Sequence, residues 1–302
     1  MNRFIRFILF GNYFYGICVI ALTIEATLQQ RIPFNSFIYY CLIFLGTVFY
    51  YTYAYIGEQG IVQDNPRSKW YDHNKKLIGR TQQIMTLAIA GLCIGWLIIY
   101  PQSITGIDFR ALCILIFIPL IALLYYGSES ASGKIHNLRN QGWIKPFVIG
   151  LVWAGMVTLY PVIFQSLEQN IPYRPKYLGF LLFFKNLMFI TMLCILFDIK
   201  DYAADHNQQL KTFVVRYGLR KTIYFILIPL TVLGLGSFLL FAYWMHFPLL
   251  MVFINTLPFI LLIIVARSMQ RRKSILYYLA IIDGLMLVKA VCGIIGFSLL
   301  KQ

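Results

Sequence analysis

Acidic residues are scarce: 11 aspartates and glutamates stand among 302 residues, against 26 lysines and arginines. Charge of either sign reaches only 12%, where a soluble globular domain carries about a quarter. That shortage excludes an ordinary water-soluble domain. Cysteine is limited to Cys18, Cys41, Cys93, Cys113, Cys194 and Cys292, with no Cys-x-x-Cys pair. All six fall in apolar stretches and read as small buried residues, not as disulfides or metal ligands. The histidines, His73, His136, His206 and His246, have no ligand spacing. Glycine-rich phosphate loops, nucleophile elbows and low-complexity tracts are all missing, which sets aside P-loop nucleotide chemistry and serine-hydrolase chemistry. No loop is long enough to fold separately, so the chain reads as one domain over residues 1–302.

What is present is apolar. Hydrophobic residues make up 60% of the chain and fall into long blocks. A helix needs about twenty apolar residues to cross the hydrocarbon core, and nothing alternates as a barrel strand would. The blocks are Phe7–Thr27, Asn35–Ile56, Thr81–Tyr100, Phe109–Tyr126, Ile144–Phe164, Tyr177–Phe197, Thr222–Trp244, Phe247–Ala266 and Leu276–Leu300. The sequence therefore predicts an all-α polytopic membrane bundle of nine transmembrane helices. The net charge of +15 would suit nucleic acid, but its placement argues against that partner. Lysine and arginine divide 19 to 5 between alternate inter-block segments. That asymmetry is the positive-inside pattern, and it predicts a cytoplasmic N-terminus. The basic start Met1–Arg6 precedes an apolar block too long for a signal peptide, so the first block reads as a retained helix. The expected location is a multi-pass position in a bacterial inner membrane.

The segment after the sixth block carries the most pointed pattern. Asp198, Asp201 and Asp205 stand at i, i+3 and i+7. On a continuing helix they share one face, a turn apart. Stacked carboxylates repel unless a cation neutralises them. Mg²⁺ suits carboxylate oxygens and keeps sites open for phosphate. Lys211, Arg216, Arg220 and Lys221 follow, so a metal-bridged diphosphate is the expected ligand. A solvated helix end with mixed charges is the plainer alternative.

The stretch from Asp198 to Gly218 resembles the second aspartate-rich motif of the UbiA superfamily of intramembrane prenyltransferases. The match runs through Asp198, Asp201, Asp205, Lys211, Thr212, Phe213, Val214, Val215 and Gly218. A weaker likeness lies at Tyr125, Tyr126 and Lys134, then Lys145 through Ala154. The family's first aspartate-rich motif is degenerate here. Anchoring on Asn65-Pro66-Arg67 puts Ala54, Tyr55, Glu58 and Val62 at its four positions, and only Glu58 is a carboxylate. The resemblance implies a nine-helix fold and a site in which Asp198, Asp201 and Asp205 hold Mg²⁺. It implies that Glu58 adds the one acidic group of the first loop, and that Lys134, Lys211 and Arg216 contact diphosphate oxygens. Arg67, Lys69, Lys75, Lys76 and Arg80 could offset phosphate charge, without the geometry of a metal bridge.

Polar residues inside the blocks are expensive and need a cavity or a partner. Lys185, Asn186, Asp283 and Lys289 are such residues. Lys185 with Asp283 is one pairing, and snorkelling is another reading. Glu25 is expected at the membrane interface, and Asn12 either faces a cavity or packs helices. Aromatic residues reach 17%; most belong to the interface or to packing, and a minority suit an isoprenoid tunnel. The expected function is transfer of a prenyl group from an isoprenyl diphosphate to a lipophilic or aromatic acceptor, with membrane lipid as surroundings. The alternatives are a non-catalytic relative that binds an isoprenoid, quinone or protein partner, and a transporter.

Overall fold

The computed structural model describes residues 3–57, 66–126, 128–129, 135–136, 142–173, 177–200, 202, 210–269 and 273–298. Apolar sequence with no water to hydrogen-bond the backbone leaves helix as the structure that satisfies every amide. Helices dominate accordingly. They are α1 (Arg3–Phe10), α2 (Tyr13–Gln29), α3 (Phe37–Gly57), α4 (Pro66–His73), α5 (Lys75–Ile99), α6 (Gln102–Thr105) and α7 (Phe109–Tyr126). The series continues with α8 (Lys145–Glu168), α9 (Tyr177–Lys200), α10 (Phe213–Trp244), α11 (Leu249–Ser268) and α12 (Ile275–Ser298). Single π-helical turns interrupt α8 at Gly155–Leu159, α10 at Ile223–Leu227 and α12 at Tyr278–Ile282. A two-residue antiparallel ribbon pairs Ser128 with His136 and Glu129 with Ile135.

The fold is an all-α polytopic membrane bundle, and the count of spans differs from the sequence expectation. Among the described residues six helices are long and apolar enough to cross a membrane: α5, α8, α9, α10, α11 and α12. A seventh is reached if α1 and α2, bent by 65°, are one broken span. The nine-helix count is therefore corrected to six or seven, and the N-terminal orientation built on it falls too. Hydropathy blocks do not register where a helix breaks or how long its apolar part is. The apolar helices Phe37–Tyr53 and Phe109–Tyr125 are shorter than a span needs. In the first block the chain turns at Gly11-Asn12, where Asn12 has φ 65°. A Cβ on Gly11 would lie 2.7 Å from the Phe7 carbonyl oxygen, so the turn needs glycine there.

Two compact units make up the chain, and each is described by itself. The first comprises Met1–Ile20, Asn35–Ile107 and Phe164–Pro172. Within it α3 packs along α5. Gly16 lets the chain close on Phe44, whose ring a Cβ would approach to 2.6 Å. Glu168 accepts hydrogen bonds from the Ser36 amide (2.9 Å), the Ser36 hydroxyl (2.7 Å) and Trp96 Nε1 (3.0 Å). A carboxylate is well placed there, since the start of α3 presents unpaired amides.

The second unit comprises Ala21–Phe34, Asp108–Ile163 and Tyr173–Gln302. Its centre is α9, which packs on α8 and α10, while α11 pairs with α12. Gly150 allows the close crossing of α8 and α9, because a Cβ there would meet Thr191 Oγ1 at 2.3 Å. Leu182, Phe238, Phe241 and Met251 are buried in one cluster, and Phe189 meets Phe259 edge-on at 5.1 Å. Large apolar side chains such as Leu249 and Phe253 are exposed, as suits a surface facing lipid tails.

Candidate functional site

Asp198 lies in the last turn of α9 and is fully buried. A carboxylate at a helix C-terminus opposes the dipole of its own helix. Lys145, at the first position of α8, resolves the conflict: its ammonium meets Asp198 Oδ1 at 2.9 Å. Each charge is unfavourable at its own helix end and favourable at its neighbour's, so the pair ties the two ends together. In the sequence Lys145 stands only at the entry to the fifth apolar block, with no expected role of its own. Its position four residues after Gln141 in a polar loop offered no signal that it reaches Asp198.

The remainder of the motif has a local structural logic. Thr212 caps α10: its hydroxyl accepts from the Val215 amide at 3.4 Å. Gly142 packs on the peptide joining Lys211 to Thr212, where a Cβ would come within 2.6 Å of the Thr212 nitrogen. Gly218 has φ 76° and ψ 162°, a conformation that side chains resist, and it kinks the helix inside Phe213–Thr222. Lys211 and Arg216 are exposed, and Arg216 also lies over the Tyr217 ring at 5.3 Å. Asp201, Asp205, Glu58 and Lys134 lie outside the described residues. Among the described residues no group of three His, Cys, Asp or Glu side chains converges as a metal site. As to Mg²⁺, the motif offers carboxylates only, which is the right chemistry for a hard cation. Lys145 already engages one oxygen of Asp198.

Other polar residues are absorbed into the packing. In the first unit Arg67 is buried and donates to the Phe10 carbonyl (3.1 Å) and to Asn12 Oδ1, with its guanidinium 4.4 Å over the Tyr55 ring. Tyr55 stacks on Tyr71 at 4.7 Å. The Tyr71 hydroxyl donates to the Phe10 carbonyl and accepts from Asn12 Nδ2, each at 2.9 Å. Burial pushes the Tyr71 hydroxyl up to about 12, against the opposing pull of the Arg67 charge. Asn12 thus packs helices, and Arg67 is committed to the chain's own carbonyls. Lys69, Lys75, Lys76 and Arg80 are exposed.

The second unit contains a buried charge cluster. Glu25 accepts from Lys185 at 2.8 Å and from Lys289 at 2.6 Å. Lys185 also donates to Gln29 Oε1 at 2.9 Å, and Gln29 Nε2 donates to Asn255 Oδ1 at 2.8 Å. Gly293 makes room for Glu25, since a Cβ there would lie 2.4 Å from Glu25 Cγ. Glu25 is therefore interior, contrary to its expected interfacial place, and the partner of Lys185 is Glu25. Asn186 donates to Thr158 Oγ1 at 2.8 Å and joins α9 to α8.

These features define a class by fold: a helical membrane bundle with an aspartate-bearing segment at the end of α9. A solved structure of digeranylgeranylglyceryl phosphate synthase in membranes is similar, with a TM-score of 0.58 and 15% identity over 98% of this chain and 99% of that one. The likeness concerns the fold, and it agrees with the general fold that the motif resemblance implied. No protein-family profile matches the chain. No curated protein matches it either.

Proposed function

We propose that this protein binds an isoprenyl diphosphate and transfers its prenyl group to a hydrophobic acceptor. The observation that supports this most is the Asp198-to-Gly218 motif at the end of α9, in a fold shared nearly end to end with a digeranylgeranylglyceryl phosphate synthase. In this reading Asp201 and Asp205, with Asp198 steadied by Lys145, would hold Mg²⁺. When bound, the cation neutralises charge on the diphosphate as it departs. Lys211 and Arg216, both exposed just beyond the motif, would bind diphosphate oxygens. Lys134 would add a third cation. The carbon–oxygen bond to diphosphate breaks, the diphosphate keeps the electron pair, and an acceptor atom bonds to the prenyl carbon and releases a proton.

A second reading is a non-catalytic relative that binds an isoprenoid. It is favoured by the Lys145–Asp198 ion pair, which neutralises a carboxylate of the motif from within the chain. Membranes containing the protein, incubated with Mg²⁺, labelled prenyl diphosphates and a lipid extract, separate the two. A labelled prenylated lipid formed by the parent and lost in Asp205→Ala supports transfer. Retention of diphosphate with no product supports the second reading, and neither retention nor product contradicts both.

A further inference from the structure

Cations gather in the first unit where α1, α4 and α5 meet. Arg3 and Arg6 of α1, Lys69 of α4, and Lys75, Lys76 and Arg80 at the start of α5 are all exposed. Asp72 is the one exposed carboxylate on these segments. Among the described residues none of the six cations forms an ion pair. The segments lie together: Phe7 and Phe10 of α1 meet the Trp70 ring of α4 edge-on, at 6.2 and 6.0 Å, and α4 packs against α5. Lys76 and Arg80 are one helical turn apart, so their charges repel. Lys75 and Lys76 also stand at the positive end of α5, whose first turn holds no acidic residue. An anion alongside relieves both costs.

Position in the fold says which anion. Lys76, Arg80, Leu87, Ile94 and Ile98 follow one another at intervals of four and seven residues, which places them on one side of α5. Leu87, Ile94 and Ile98 are exposed apolar residues of a helix long enough to cross a membrane, so that side faces lipid tails. Lys76 and Arg80 stand at its end, the level of the phospholipid headgroups. The helix α1 leaves α2 at 65°. Its two arginines are a turn apart, Phe4, Ile5 and Ile8 fall on the opposite side, and Phe4 and Ile5 are exposed. A short basic amphipathic helix of this kind suits the plane of the interface.

We propose that this surface binds an anionic phospholipid of the surrounding membrane. The cations of α1, α4 and α5 draw its headgroup, and the exposed side of α5 lies against its acyl chains. A zwitterionic headgroup brings its own cation and neutralises the cluster less well. The surface belongs to the first unit and the aspartate motif to the second, so the inference is independent of the diphosphate reading. Trp70, between α1 and the cations, supplies the readout. The purified full-length protein is reconstituted in phosphatidylcholine vesicles, and brominated phosphatidylglycerol or brominated phosphatidylcholine is introduced in rising proportion. The Trp70 signal is the emission of the parent minus that of Trp70→Phe. Half-maximal quenching should need about fivefold less of the phosphatidylglycerol, the factor that one Lys or Arg at an anionic surface supplies. That preference should shrink as added salt shortens the Debye length. It should also shrink in Arg3→Gln with Arg6→Gln, and in Lys69→Gln with Lys75→Gln, Lys76→Gln and Arg80→Gln. Inorganic diphosphate added at constant ionic strength should leave it in place. Equal quenching by the two lipids, no Trp70-dependent quenching by either, or a preference undiminished in either combined variant would each overturn the assignment. Displacement of phosphatidylglycerol by diphosphate would overturn it too, and would make the surface a site for a soluble phosphate.

Discussion

At the scale of single residues, Glu25 is buried and held between two lysines far from it in sequence. Ion pairs in a low-dielectric interior are worth little net, but removing one partner strands the others. Glu25→Gln leaves Lys185 and Lys289 buried without their carboxylate and should cost about 3–5 kcal/mol. Thermal unfolding in detergent would show a large loss, and an unchanged midpoint would mean that the cluster is not formed. Tyr71 gives a pH-dependent expectation. Its folded value, about 12, lies above the ordinary value of about 10. The stability it contributes is fully present below about 10 and lost as pH rises through about 12. Tyr71→Phe should flatten the unfolding midpoint across that window, and an equally steep decline in the variant would sink the assignment. Little of this was legible in the sequence. Lys185 and Lys289 were recognisable as costly buried charges. Their partner was not, because Glu25 lies 160 and 264 residues away and no local periodicity links such positions.

At the scale of elements, glycine and capping decide the geometry beside the motif. Gly218 sits at φ 76° and ψ 162°, a region essentially reserved for glycine, where another residue costs roughly 1–3 kcal/mol. Gly218→Ala should therefore destabilise by about that amount and straighten the kink ahead of Lys221. Thr212→Ala removes a helix cap worth about 1 kcal/mol. Faster amide exchange confined to the start of α10 would verify the cap, and unchanged exchange would exclude it. The motif's Lys-Thr and Gly positions could be read from sequence, and the structure supplies their physical reasons. The hydropathy blocks located the helices and failed on their continuity. The bend at Gly11-Asn12 joins two helices that one apolar run conceals. In the degenerate first motif, Tyr55 is not a vacant ligand position. It is packed between the Tyr71 ring and the Arg67 guanidinium, an arrangement that periodicity alone does not reveal.

At the scale of the whole molecule, composition decided the class and the fold likeness agrees with the helical bundle it implies. The scarcity of charge, the 60% hydrophobic content and the apolar exposed surface belong to one solvent, the bilayer interior. The motif resemblance and the likeness to digeranylgeranylglyceryl phosphate synthase arise from different observations, one from about twenty residues and one from 98% of the chain. They agree on the general fold, and the ligand is what the proposed function adds. The most direct measurement is equilibrium binding of labelled isoprenyl diphosphates of several chain lengths to the purified parent, Asp201→Ala and Asp205→Ala, each with Mg²⁺ and with excess chelator. The account predicts saturable binding by the parent that chelation weakens at least tenfold, and no saturable binding by either variant. Binding by both variants as tight as the parent's, and indifferent to chelator, would contradict it.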